Sequence, residues 1–243
     1  MTARLLSLLT LIGLCIPFRL HAQTPSGTAQ INLIFSWQHH YGPTVFNTPV
    51  YSNVHGQLYS ISTLRYYVSN VALHRADGNM YLQKTPVLID HDDDSMTSVR
   101  LDNVPLGTYT SVSFILGVDS ADNVAGPREG ALDPLNGMYW TWATGYIFFK
   151  LEGTSAASTQ PKNIIEFHLG GFEAPYNNIR RVELPLRRPL QADGRNASLD
   201  IVLDVGAFVD ADGGIDFSAV SSVTDVRSAG PYIKRLQGAF HVR

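Results

Sequence analysis

From Ile31 to Tyr41, apolar and polar positions alternate. Ile31, Leu33, Phe35, Trp37, His39 and Tyr41 fall on one side of an extended chain, the period-two signature of a half-buried strand. Similar runs predict strands over Val50–Ser60, Leu64–His74, Met80–Asp90, Tyr109–Val118 and Tyr139–Leu151. Four more are predicted over Asn163–Leu169, Arg180–Leu186, Ala197–Asp204 and Tyr232–Val242. Asp77-Gly78, Pro105-Leu106-Gly107, Glu152-Gly153, Asp193-Gly194 and Asp212-Gly213-Gly214 supply the turns. Many short strands and no long amphipathic helix predict an all-β fold, a single antiparallel β-sandwich domain with long loops. The substantial insertion is Asp119–Asn136, rich in Gly, Pro and Asp. Segments of that length commonly carry function.

The N-terminus adds a compartment. Arg4 precedes an apolar run from Leu5 to Ile16, and Leu20-His21-Ala22 offers a small-residue cleavage end. This is the pattern of a cleaved signal peptide, residues 1–22. The run is broken by Pro17 and Arg19 and is shorter than the roughly 20 residues of a membrane span. A polar linker over 23–30 then leads into one domain, 31–243, with no internal repeat or break in composition. Export to the periplasm or cell surface is expected, without integration into the membrane. The single cysteine, Cys15, lies inside the signal. The mature chain therefore has no thiol for a disulfide, a cysteine-based zinc site, an iron–sulfur cluster or a blue-copper centre. The full chain holds 18 basic and 21 acidic residues. Without Arg4 and Arg19 the balance is 16 to 21, a formal charge of −5, which gives no electrostatic footprint for nucleic acid.

No G-x-G-x-x-G, P-loop, H-E-x-x-H or G-x-S-x-G occurs, and no organic cofactor is expected. The expectation is a binding protein rather than an enzyme. Trp37 and His39 share the inward face of their strand, with Cβ atoms about 6–7 Å apart. A histidine there is hydrogen-bonded, exposed at the rim or bound to metal, and His40 points the other way, toward solvent. In Glu166-Phe167-His168-Leu169-Gly170-Gly171, Glu166 and His168 share a face. His168 is a candidate ligand and Glu166 a carboxylate that could orient an imidazole. His91-Asp92-Asp93-Asp94 looks like a hard-cation cluster, but consecutive side chains diverge on an extended chain, so a solvated loop is favoured over a calcium site. Asp210–Asp216 begins like a calcium loop but has Ile215 where the turning glycine belongs. Trp140 and Trp142 share a face with Met138 and read as core packing; exposed, they would form a glycan-stacking platform.

Several segments together resemble the MbnP-like family, which includes exported bacterial copper-binding proteins related to those of methane oxidisers. The residues that carry the resemblance are Phe35-x-Trp37-x-His39-x-Tyr41-Gly42 and Leu64-Arg65-Tyr66-Tyr67-Val68-Ser69-Asn70-Val71-x-Leu73. The others are Gly137-Met138-Tyr139-Trp140-Thr141-Trp142 with Gly145-Tyr146 and Leu151-Glu152-Gly153, then Phe167-His168-Leu169-Gly170-Gly171. The resemblance implies a secreted β-sandwich that holds copper for capture, buffering or delivery. Its ligands would be histidine imidazoles and a kynurenine formed from tryptophan, with a di-haem cytochrome peroxidase-like partner as oxidant. An intact indole has only an N–H donor, whereas the opened ring provides an aromatic amine beside imidazoles that suit copper. Carried onto this chain, the metal residues are Trp37, His39 and His168, with Glu166 in support and Trp140 or Trp142 as alternative oxidation sites. A metal-free interaction or glycan-binding module is the alternative.

Overall fold

The computed structural model describes residues 27–141 and 143–243, so the signal segment and the first part of the linker lie outside it. Among the described residues, strands of at least three residues are β1 (Thr28–His39), β2 (Leu58–Arg75), β3 (Met80–Gln83), β4 (Val87–Asp90), β5 (Ser98–Pro105) and β6 (Gly107–Leu116). They continue with β7 (Tyr139–Thr141), β8 (Gly145–Ser155), β9 (Ile164–Gly170), β10 (Arg180–Ala192), β11 (Ala197–Asp204) and β12 (Phe240–Val242). The helices are α1 (Ser120–Ala125), α2 (Val205–Asp210) and α3 (Ala229–Gly238). None is long and apolar enough to cross a membrane.

Two sheets stack as a sandwich. In the smaller, β1 runs parallel to β11, which pairs antiparallel with β12. β5 covers the first half of β1, and Gly42–Pro43 folds back on its end. The larger sheet is organised by β2. Its first half pairs with β8 and its second half with β6, while β4 and β3 also pair along it. β9 and β10 extend the sheet beyond β8 and β6. Between the sheets, Phe35 of β1 and Phe240 of β12 meet Tyr66 and Phe114 edge-on, with ring centroids 5.3–6.2 Å apart. Such pairs add to the burial of apolar area that holds a cysteine-free domain together.

Several elements depart from the sequence reading for local reasons. β1 begins at Thr28, so the last linker residues, Thr28-Ala29-Gln30, are already strand; Thr28 and Ala29 pair with Pro105 and Val104, and Gln30 sits at a register shift. Ile61-Ser62-Thr63 contains no breaker, so Leu58–Ser60 runs on into the next expected strand as β2. The start of the expected Val50–Ser60 strand is set off by a turn over 53–57, and only Tyr51–Ser52 is extended there, folded back on β2. Pro86 instead divides the expected Met80–Asp90 strand into β3 and β4. The run expected as a strand from Tyr232 is mostly α3, because Ala229, Ile233 and Leu236 recur at helical spacing and are buried together. β5 was not anticipated; its buried Val99 and Leu101 alternate with Arg100 and Asp102. The 119–136 segment folds on itself. Asp119 caps α1, and buried Asn123 holds Val118 O and Tyr146 N.

The outer face of the larger sheet carries a polar row. His168 lies opposite Lys150, Lys150 opposite Arg65, and Arg65 opposite Asp90. Lys150 Nζ donates to Gly137 O at 2.6 Å and Arg65 Nη1 to Asn136 O at 3.3 Å, pinning the end of the 119–137 segment. His168 Nε2 meets Glu152 Oε1 at 2.8 Å. That hydrogen bond, assisted by Lys150 and opposed by burial, pulls the Glu152 carboxyl down to about 2 from its ordinary 4.5.

Two outcomes follow from this arrangement. A Cβ at position 153 would sit 1.9 Å from the backbone oxygen of Ser60, a contact no side-chain motion relieves. Gly153→Ala is expected to lower unfolding free energy by at least about 2 kcal/mol in urea titration. Because the folded Glu152 has a depressed pKa, its contribution is complete above pH 4.5 and lost as pH falls toward 2. Stability of Glu152→Gln measured over that window should fall less steeply than the parent's, and equal slopes would contradict the assignment.

Candidate metal centre

The inner face of β1 continues past its last core residue. After Ile31, Leu33 and Phe35 come Trp37 and His39, both half-buried. The Trp37 ring meets Phe46 edge-on at 6.3 Å and 86°, and His91 at 6.5 Å and 88°. Phe46 in turn stacks on His91 at 4.0 Å. Trp37 Nε1 is buried without an acceptor. The fully buried Tyr66 hydroxyl adjoins Trp37, yet neither atom has a partner of good hydrogen-bond geometry. Burial pushes the Tyr66 phenol far above its ordinary range, so it stays protonated.

His91, expected on a solvated loop, does lie in a turn, but its side chain folds inward. That side chain is only 3 % exposed, covered by Phe46, which stacks on it, and by the edge of Trp37. Its Nδ1 accepts from Leu64 N at 3.2 Å, and its backbone N–H donates to Leu64 O. With Nδ1 accepting, the neutral ring carries its proton on Nε2. That Nε2 lies 3.1 Å from Asp92 Oδ1 but is too poorly aligned to form a hydrogen bond. Donor atoms of Asp90, His91 and Asp92 all fall within 4.8 Å of one another. Arg65 Nε lies 2.8 Å from Asp90 Oδ2 and offsets part of their charge.

His39 is held differently. Its Nε2 is 2.6 Å from the Tyr59 hydroxyl, and its ring stacks on Tyr51 at 3.9 Å and 11°. Burial, then the neighbouring His40, lowers its pKa below the ordinary 6.5. Neutral pH therefore finds a neutral imidazole, the form that binds metal. His40, expected to face solvent, is only partly exposed and pairs with Asp210 at 2.9 Å.

The other residues singled out by sequence lie elsewhere. His168 alternates with buried Phe167 and Leu169 and so projects on the outer face of the larger sheet, away from Trp37. The sheet separates them, and His168 does not join His39. Its carboxylate partner is Glu152; Glu166 accepts from Ser222 Oγ at 2.7 Å instead. Trp140 is half-buried: its ring packs so closely on Gly170 that a Cβ there would lie 2.9 Å from it, and it also lines a surface cavity with Thr224 and Arg227. Trp142 lies outside the described residues. Sequence inspection discounted His91 as part of a solvated loop, quoted Tyr66 only as a family motif residue, and missed Phe46, Tyr51 and Tyr59. The available signal was that His91 directly follows the apolar run Val87-Leu88-Ile89.

Comparison with known proteins gives the lineage. No curated protein matches the chain. Among solved structures, MbnP from Methylosinus trichosporium superposes with a TM-score of 0.53 at 16% sequence identity, covering 81% of this chain and 80% of that one. At that identity the likeness concerns the fold. The family model MbnP matches residues 28–226, from the first residue of β1 to just before α3, and the chain therefore belongs to the MbnP family.

Proposed function

We propose that this protein is an exported copper-binding protein that captures, buffers or delivers the metal through Trp37, His39 and His91. One observation carries the reading. A buried indole N–H whose neighbouring acceptor, the Tyr66 hydroxyl, is poorly aligned packs edge-on against a 3 %-exposed imidazole whose Nε2 has only the misaligned Asp92 carboxylate beside it. Natural interiors rarely leave two such atoms unsatisfied side by side. His39, neutral and two residues along the same strand face, supplies a second imidazole. Nitrogen donors of this kind suit copper, which also heads the affinity order of the divalent metals. Metal on His91 Nε2 would displace the proton held there, and the long Leu64 contact would loosen as Nδ1 takes that proton up.

Trp37 in its intact form contributes shape and an N–H donor, not a ligand. Opened to kynurenine, it would bring an aromatic amine to the position beside His91. That conversion needs an external oxidant, and a di-haem cytochrome peroxidase-like partner is the class that fits. His168 stands outside this centre, and Asp90 and Asp92 flank it.

Copper titration of the purified protein against a competing chelator tests the assignment. His39→Ala and His91→Ala are each expected to weaken binding by about 10-fold or more, while His168→Ala binds as the parent does. Parent-like binding by both of the first two variants would remove the centre from this position. Intact-mass measurement of protein from the native host tests the modification, with an expected gain of about 4 Da for one kynurenine.

A further inference from the structure

We propose that His40 and Asp210 form an outer loading site, which accepts copper(II) from its complex with a small carboxylate chelator and passes it to His39. The proposal rests on the copper reading above. It begins with a backbone irregularity: His40 has φ of +54°, the left-handed region that side-chain-bearing residues seldom occupy. Neighbouring side chains on a regular strand point to opposite faces. Here the reversal brings the two rings together, with centroids of His39 and His40 4.7 Å apart.

The surroundings are built around that ring. Asp204 Oδ1 accepts the His40 backbone N–H at 2.9 Å and fixes the turn. His40 Nε2 meets Asp210 Oδ2 at 2.9 Å, while the other carboxylate oxygen accepts Val54 N–H at 2.9 Å. The ring rests on Gly206, where a Cβ would come within 2.8 Å of its Cε1 and Nε2 and push it from this position. One imidazole and one carboxylate make an N,O donor pair of the type copper(II) accepts.

The chelator is inferred from the cavity in front of this pair. It has a volume of about 580 Å³, with Asp212 beside Asp210 and with Lys234 and Arg235 also on its wall. A bare or hydrated ion needs far less room, a water molecule occupying only about 30 Å³. Two cations would also repel a free metal ion, yet they complement the carboxylates of an anionic complex. The acidic and histidine side of the cavity would take the metal while the basic side holds its carrier. His39 links this cavity to the interior, touching His40 on one side and sharing the face of Trp37 on the other.

The test is stopped-flow loading of the purified protein with copper(II) citrate, followed by quenching of tryptophan fluorescence, alongside equilibrium affinity by chelator competition. Asp210→Asn is nearly isosteric and keeps an acceptor for Val54 N–H; His40→Gln is the second variant, and circular dichroism melts verify both folds. Each should slow loading about 10-fold or more with equilibrium affinity within about twofold of the parent. Lys234→Gln should slow loading from copper(II) citrate but not from the neutral bis-glycinate complex. Parent-like loading by both Asp210→Asn and His40→Gln overturns the proposal. So does a loss of affinity equal to the loss of rate, which would make the two residues part of the final centre. Citrate and glycinate loading affected alike by Lys234→Gln overturns the carboxylate carrier. A parent that binds no copper at equilibrium refutes the underlying copper reading instead.

Discussion

The architecture depends on how far the inner face of β1 extends. Residues 31, 33 and 35 are apolar and close the core against Tyr66 and Phe114. The same face then continues for two more positions, and those positions hold an indole and an imidazole. Period-two geometry leaves them no choice of direction. Both rings must enter the space at the end of the sandwich, and each brings a polar atom that water can no longer reach fully. An unsatisfied buried donor costs about 1–3 kcal/mol. His39 meets that demand through Tyr59, while Trp37 has only the poorly aligned Tyr66 hydroxyl beside it.

The neighbouring elements compensate for the exposed end of the strand. Asp204, at the junction of β11 and α2, accepts from Gln38 Nε2, from the His40 backbone and from Ala207 N. One carboxylate thus caps a helix, terminates β1 and orients its last turn. Gln38 and Asp204 are also register partners across the parallel β1–β11 pair. A parallel pairing is what makes this possible: the C-terminal ends of both strands arrive at the same edge of the domain, so the helix that follows one is built against the turn that follows the other.

How much of this was legible in sequence depends on whether a property is local. The strand β1, its inner face and the β-sandwich class follow from periodicity, which each segment carries by itself. The outer placement of His168 could have been read too, since Phe167 and Leu169 claim the inner face on either side of it. The family resemblance put His168 among the metal residues, although parity sets it on the face opposite Phe167 and Leu169. His91 is the opposite case. Its burial depends on Phe46 arriving from a loop to stack on it and on the edge of Trp37 covering it from β1. No local pattern contains those two events, and a run of three aspartates after it suggests solvent. The helix α3 was lost to a period misreading, its apolar residues being compatible with a strand only when Lys234 and Arg235 are ignored.

Adjacent histidines with different fates show how little backbone change separates an interior ligand from a surface one. His39 obeys strand parity, stacks on Tyr51 and is held neutral by burial. His40 follows it by one peptide, but a left-handed φ lifts its ring out of the strand's alternation and onto Gly206. Had His40 remained extended, its ring would have pointed to the far face of β1, with no route toward His39. The turn therefore does more than end a strand. It converts two side chains that ought to diverge into a contiguous pair, one facing the cavity beside α2 and the other facing Trp37. Asp204 fixes the turn and Asp210 fixes the ring, so both carboxylates act on the same dihedral choice. The described residues hold no thiol, and the centre proposed here is built from nitrogen and oxygen donors. Their placement then rests on backbone geometry of this kind rather than on the intrinsic affinity of sulfur.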